Sequence, residues 1–258
     1  MPDFTHEYYA ELLFTFQDSQ YEFQTLKDAV DARHSKCVTM RHDVDRLPQN
    51  ALKFARLESA IGFKSTYYFR SVPESWDEEV ISEVAKRGHE VGYHYENMDT
   101  CDGDVEAAWD DFRVNLERFR QIYPVKTVCM HGSPLSKYDN RDLWEKYDYT
   151  TLGIIAEPYF DIDYNQVFYL TDTGRKWNNI GASIRDKVES KFDISITNTR
   201  HLIQLIQAHQ LPDKLLINTH PQRWHNRLIP WVKELVSQRA KNAVKRVVAK
   251  RGRRKDGK

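Results

Sequence analysis

An α/β fold built on parallel strands follows from two features of the 258-residue sequence. Short apolar, β-rich runs alternate with segments whose apolar residues recur at helical spacing, and such alternation joins parallel strands through helical crossovers. Polar and titratable residues also fall repeatedly at the ends of those runs. That is where parallel sheets gather functional groups, because all the carboxyl ends open on one face. Seven runs are enough either to close a barrel or to form an open doubly wound sheet. No G-x-G-x-x-G or G-x-x-x-x-G-K-[ST] motif is present, so nothing points to a nucleotide-binding sheet.

The first ~30 residues read as a helical cover ahead of the first strand, residues 1–36 in all. The strand-like runs are KCVTMRHDVD, KSTYYFR, HEVGYHYE, TVCMHG, TTLGIIAE, QVFYLTD and KLLINTHP. Between them, DEEVISEVAKRG carries apolar Val80, Ile81, Val84 and Ala85 and is ended by a glycine. The segment from Asp104 to Tyr123 is stopped by Pro124. Another spans Thr199 to Gln210, with Leu202, Ile203, Leu205 and Ile206 on one face before Pro212. A terminal helix is expected to begin between Asn226 and Ile229 and to run into a basic tail, residues 239–258. The body between, residues 37–238, is then one domain.

At 40% hydrophobic and 12% aromatic the chain has ample material for a core, which excludes disorder from poor hydrophobicity. Formal charge is zero, yet the tail from Arg239 holds ten Lys or Arg against Asp256, leaving an acidic body. Such a tail forms either a solvated terminal helix or a basic helix suited to an anionic membrane surface. No nucleic-acid module is visible, and the basic residues concentrate in the tail rather than on a binding face. The three cysteines, Cys37, Cys101 and Cys129, form no C-x-x-C pair, against a disulfide framework or a thiolate zinc site. No secretion signal or membrane span is apparent, so the expected location is cytoplasmic, with the inner membrane surface as a peripheral option.

Asp43 and Asp45 end the first run, His94 and Glu96 the third, His131 the fourth, Asp172 the sixth and His220 the seventh. Side chains two apart on a strand share a face, so Asp43 and Asp45 converge while His42 points away, and His94 shares a face with Glu96. His89, at a strand start, reads as a structural histidine. Paired carboxylates can divide labour, one holding a divalent metal and one taking a proton from water, with imidazoles completing an N/O ligand set suited to Zn, Co or Ni. Such an array fits metal-assisted hydrolysis of an amide or ester.

The order of these motifs resembles the polysaccharide deacetylase superfamily, which includes chitooligosaccharide and peptidoglycan N-deacetylases. HDVD is similar to that family's paired-aspartate motif, KSTYYF to its second-strand segment, GHEVGYH to GHEIGNH, and LINTHP to the seventh-strand L-x-H motif. The resemblance covers about residues 37 to 225. It implies a distorted (β/α)7 barrel and metal-dependent de-N-acylation of a sugar or glycan precursor. Asp43 would be the general base, Asp45 and His94 metal ligands, and His220 the acid. Trp177, in DTGRKW, would line the acyl pocket, with Arg175 or Asp172 orienting the acid and Glu96 beside the substrate.

Two departures stand out. The family's second metal histidine falls at Met98, a poor replacement for imidazole. Its fourth-strand Arg-x-Pro-Tyr motif is replaced by HGSPLS. Three options follow: His131 supplies the missing nitrogen, Glu96 supplies an oxygen, or no metal binds. On the last, the chain is a catalytically impaired carbohydrate-binding or scaffold protein on the same barrel. Tyr93, Tyr95, Trp177 and Trp224 suit either stacking on sugar faces or the core. A glycoside hydrolase is the third reading, but Asp43 and Asp45 lie too close in sequence to straddle a glycosidic bond easily.

Overall fold

The computed structural model describes residues 2–31, 34–133, 136–177 and 188–255, with side chains to residue 244. Seven strands form one parallel sheet: β1 (Glu22–Gln24), β2 (Cys37–Val44), β3 (Thr66–Phe69), β4 (Glu90–Tyr95), β5 (Val128–Met130), β6 (Phe168–Thr171) and β7 (Lys214–Thr219). The order is β5-β4-β3-β2-β7-β6. Strand β1 occupies the start of the β2 edge that β3 takes further on, pairing Glu22 with Cys37 while Thr66 pairs with Arg41. Helical crossovers connect the strands: α3 (Pro48–Ala60), α4 (Glu78–Lys86), α6 (Val105–Arg120) and α8 (Thr199–Gln207). The helices α1 (His6–Asp18) and α2 (Leu26–Val30) precede β2, and the short helices α5 (Asn97–Thr100) and α7 (Pro158–Asp161) sit in the loops. The chain closes with α9 (Leu228–Lys255).

Two of the expected elements differ. Residues 22–24, read as part of a helical cover, are a strand. Three residues are too few to show a period, and pairing with β2 fixes their conformation. TTLGIIAE is not a strand: Tyr149–Leu152 is a 3₁₀ turn ended at Gly153 with φ +70°, and only Ala156 bridges to Thr127.

Strand periodicity sorts the side chains into two layers. Val38, Met40, Val44, Phe69, Val91, Tyr93, Val128, Leu215 and Ile217 join the large core between sheet and helices. Leu12, Leu13 and Phe16 of α1 are fully buried in the same core, and each contributes roughly 1.5–3 kcal/mol by leaving water. The opposite face gathers Tyr68, Cys129 and Leu216 into a separate, smaller cluster. Gly92 belongs there of necessity, since a Cβ at that position would lie 2.2 Å from the Tyr68 ring. The sheet is curled around this inner layer. In a flat sheet β2 and β5, three strands apart, would be about 14 Å from each other, yet Asp45 Oδ1 and His131 Nε2, just beyond their ends, lie 3.8 Å apart.

The outward face also carries a buried polar network. His42 meets Thr219 Oγ1 through Nδ1 at 2.7 Å and Glu58 Oε1 through Nε2 at 2.8 Å. Tyr67 donates to Glu58 at 2.5 Å, and Tyr9 donates to the same carboxylate. His89 approaches it at 3.6 Å and contacts the Ala55 carbonyl at 2.9 Å. His42 and His89 thus brace α3 and lie away from the residues at the strand ends.

Candidate metal centre and active site

At the carboxyl ends of β2, β4, β5 and β7 four side chains converge. Asp45 Oδ1 lies 3.6 Å from His94 Nε2 and 3.8 Å from His131 Nε2, and Asp45 Oδ2 lies 4.0 Å from His220 Nε2. Asp43 Oδ2 is 3.9 Å from His94 Nε2. The register explains the meeting. Arg41, Asp43 and Asp45 alternate onto the inner face, as do Asn218 and His220, and His94 pairs in the ladder with Cys129, two residues before His131.

Each imidazole is oriented through its other nitrogen. His94 Nδ1 meets the Cys129 carbonyl at 2.9 Å. His131 Nδ1 meets Glu96 Oε2 at 2.8 Å, and Arg70 grips Glu96 with two bonds of 2.8 and 2.7 Å while donating to the Asp45 carbonyl at 3.0 Å. These contacts leave both Nε2 atoms directed at Asp45. His220 Nδ1 meets Asp172 Oδ1 at 2.6 Å, and Asp172 is held in turn by the His220 amide, Arg223 and the Trp224 indole.

Electrostatics follow from this packing. Burial pushes the Asp45 carboxyl up, but the facing His220, His94 and His131 rings outweigh it and hold it well below the usual carboxylate range. Burial likewise opposes ionisation of Asp43, and is overcome by Arg41 and His94. Arg41 binds Asp43 with bonds of 2.9 and 2.7 Å, and Asn218 adds a third at 2.8 Å. Glu96, despite burial, is lowered to about 2 by His131 and Arg70. Asp172 is also depressed, with His220 and Arg223 offsetting the cost of burial.

The donor set fits a divalent cation. Asp45 Oδ1 is buried without a hydrogen-bond partner among the described residues, a costly state unless something occupies it. It forms, with His94 and His131, a group whose ligand atoms all lie within 4.8 Å of one another. Tetrahedral donors at about 2.1 Å from zinc stand about 3.4 Å apart, close to the observed 3.6 and 3.8 Å. Two imidazoles and a carboxylate, each imidazole backed by a carbonyl or carboxylate, match the usual ligand and backing pattern. Asp43, His94 and Cys129 form a second such group, but Arg41 already neutralises Asp43, which disfavours a cation there.

The remaining expected residues are distributed differently. Met98 is buried in the apolar core within α5, away from any ligand role. Glu96 backs His131 rather than lining the open cleft. Asp172 orients His220, and the guanidinium that reaches it is Arg223. Arg175 instead donates to the carbonyls of Trp231 and Asp3 and lies over the Phe4 and Trp231 rings. Trp177 is 2% exposed, packed with Phe4 and Trp224, and its indole donates to Thr199. A tryptophan satisfied this way belongs to the core, not to a pocket wall. Tyr93, Tyr95 and Trp224 are core residues too. Arg41, Asn218, Arg70 and Arg223 also carry site contacts. Strand parity was the available signal for the first two, since each lies two residues before Asp43 or His220.

A cleft of about 450 Å³ opens beside the centre, bounded by Asp45, Arg46, His131 and Arg223, with α9 as its outer wall. No protein-family model matches the chain, and no curated protein matches it. Among solved structures it is similar to the Xyl-CE4 domain of a multidomain xylanase from the hindgut metagenome of Trinervitermes trinervoides, with 11% identity and a TM-score of 0.40 over 79% of this chain and 82% of that one. It is also similar to the peptidoglycan deacetylase PdaC from Bacillus subtilis, with 13% identity and a TM-score of 0.39 over 83% of this chain and 97% of that one.

Proposed function

We propose that the chain is a metal-assisted hydrolase that cleaves an N-acyl bond on a sugar or glycan precursor. The observation that carries the reading is the convergence of Asp45, His94 and His131 on one point, with Asp43 and His220 beside it. The order of the sequence motifs supports the same chemistry. A divalent cation held by Asp45, His94 and His131 supplies Lewis-acid polarisation of an acyl oxygen and activation of water.

The protein's own groups do the rest. Asp43 is kept ionised by Arg41 and Asn218, and its Oδ1, engaged by Arg41 alone among the described residues, retains a lone pair to accept a proton. His220, aligned by Asp172, holds Nε2 toward the centre, where it can deliver a proton to a departing amine. The Arg70–Glu96 pair fixes the ring of His131 and the backbone at Asp45 together.

The test is acetate release from N-acetylglucosamine oligomers by the metal-loaded protein. Asp43→Asn and His220→Ala should retain metal and fold yet turn over roughly 10²–10⁴-fold more slowly. Unchanged hydrolysis by Asp43→Asn removes that residue from the mechanism.

A further inference from the structure

The cleft beside the metal centre is built asymmetrically in charge. Among the described residues lining it, Asp45 is the one carboxylate, whereas Arg46, Arg223 and Lys241 are cations. Two of those cations are already committed. Arg46 pairs with Glu234 at 2.5 Å and Arg223 with Asp172 at 2.9 Å. Glu234 also accepts from Gln238 at 2.7 Å, so its charge is shared within α9 and with Arg46. Lys241 has no acidic partner among the described residues, and it is exposed on the wall of the cleft.

Lys241 is also held in place rather than carried on a loose tail. The next residue, Asn242, is buried and donates to the Gly174 carbonyl at 3.0 Å, where a Cβ on Gly174 would lie 2.7 Å from the Asn242 amide. One turn earlier Gln238 is buried, and further back Trp231 donates to the Asp3 carbonyl at 2.7 Å. These contacts fix the face of α9 that Lys241 presents to the cleft.

A second observation points to a ligand. Gln222 lines the cleft, is 2% exposed, and its Oε1 has no hydrogen-bond partner among the described residues. Leaving a buried amide oxygen unpaired is unfavourable, and a hydroxyl or N–H of a bound molecule would satisfy it.

We infer that the substrate is an acylated sugar bearing an anionic group, a phosphate or a carboxylate, bound by Lys241 with a neighbouring hydroxyl or amide donating to Gln222 Oε1. This deepens the hydrolase reading and rests on it. A neutral sugar would leave Lys241 unmatched, while an anionic group beside α9 would pair with it.

The experiment is equilibrium binding, by calorimetry on the whole 258-residue chain, of N-acetylglucosamine, N-acetylglucosamine 6-phosphate, N-acetylmuramic acid and inorganic phosphate. Wild type and Lys241→Gln are compared, each titrated with zinc alongside. At least one anionic sugar should bind about tenfold or more tightly than N-acetylglucosamine, and Lys241→Gln should bring the two within about twofold. The sugar preferred identifies phosphate or carboxylate as the anion. Inorganic phosphate binding more tightly than either anionic sugar overturns the sugar assignment. Equal affinity for neutral and anionic sugars, no binding of any sugar, or a preference that survives in Lys241→Gln also overturns the inference. Zinc binding separates the levels: if wild type binds zinc but shows no anion preference, this inference alone falls, and if zinc fails to bind, the hydrolase reading falls with it.

Discussion

Replacing Glu96 by glutamine tests how the metal centre is assembled. Glu96 touches no candidate ligand atom. Its Oε2 lies 2.8 Å from the far nitrogen of His131, and Arg70 pins both of its oxygens. The carboxylate therefore keeps the His131 Nδ1 proton in place and aims Nε2 at Asp45. A glutamine keeps the shape but removes the charge, leaves Arg70 without its partner, and allows its amide NH₂ to face either neighbour. Loss of such a backing group costs typically 10–100-fold in metal affinity, or about 1.4–2.7 kcal/mol at 1.36 kcal/mol per decade. Competition against a chromophoric chelator measures it with zinc, and the d–d spectrum of the cobalt form reports whether the ligand field has changed. Circular dichroism confirms the fold. Metal affinity within twofold of wild type, with a raised KM for substrate, would refute the positioning role and return Glu96 to the substrate contact its place in the sequence first suggests.

Three further outcomes are expected. Met98→His should not create a fourth protein ligand, because Met98 is 4% exposed in the apolar core; it should lower stability by about 1–3 kcal/mol in denaturant titrations and leave zinc affinity unchanged, whereas tighter binding would mean that α5 reaches the centre. Stability should also fall with acid through Glu58. Burial opposes its ionisation, but His42, His89 and Tyr67 prevail and lower it from 4.5 to about 2. A depressed carboxyl contributes stability that is complete above pH 4.5 and is lost as pH falls through 2, amounting to about 3 kcal/mol for this buried group. Glu58→Gln should be less stable than wild type at pH 7 but lose about 3 kcal/mol less between pH 5 and pH 2, and equal losses in urea titrations would exclude Glu58 as the source. Finally, His220→Ala should slow N-acyl hydrolysis while leaving zinc affinity within twofold; a large loss of affinity would make His220 a ligand instead of a proton donor.

Much of this arrangement is legible in the sequence because strand periodicity is strict. Two-residue spacing places Asp43 with Asp45 and His94 with Glu96, and sends His42 to the opposite face, where the structure has it bound to Glu58. What periodicity cannot convey is distance between strands. Whether His131 reaches Asp45 depends on the curl that brings the end of β5 toward β2, and no local pattern reports curl. Trp177 illustrates a different limit. Its neighbours in sequence are polar, but its partners Phe4 and Trp224 come from distant parts of the chain. The basic stretch from Arg239 reads as a solvated or membrane-facing tail. At its start Ala240, Lys241 and Val244 line the cleft, because Asn242 and Trp231 anchor α9 to the rest of the fold. Strand β1 was hidden for a simpler reason: three residues carry too little pattern.

The most direct measurement is the metal content of the purified 258-residue chain after equilibration with zinc and removal of unbound ion. About one equivalent per chain is expected, reduced sharply in each of Asp45→Ala, His94→Ala and His131→Ala, with folding retained. Wild type without tightly bound metal, or His131→Ala with its full complement, would contradict a centre shared by these three residues.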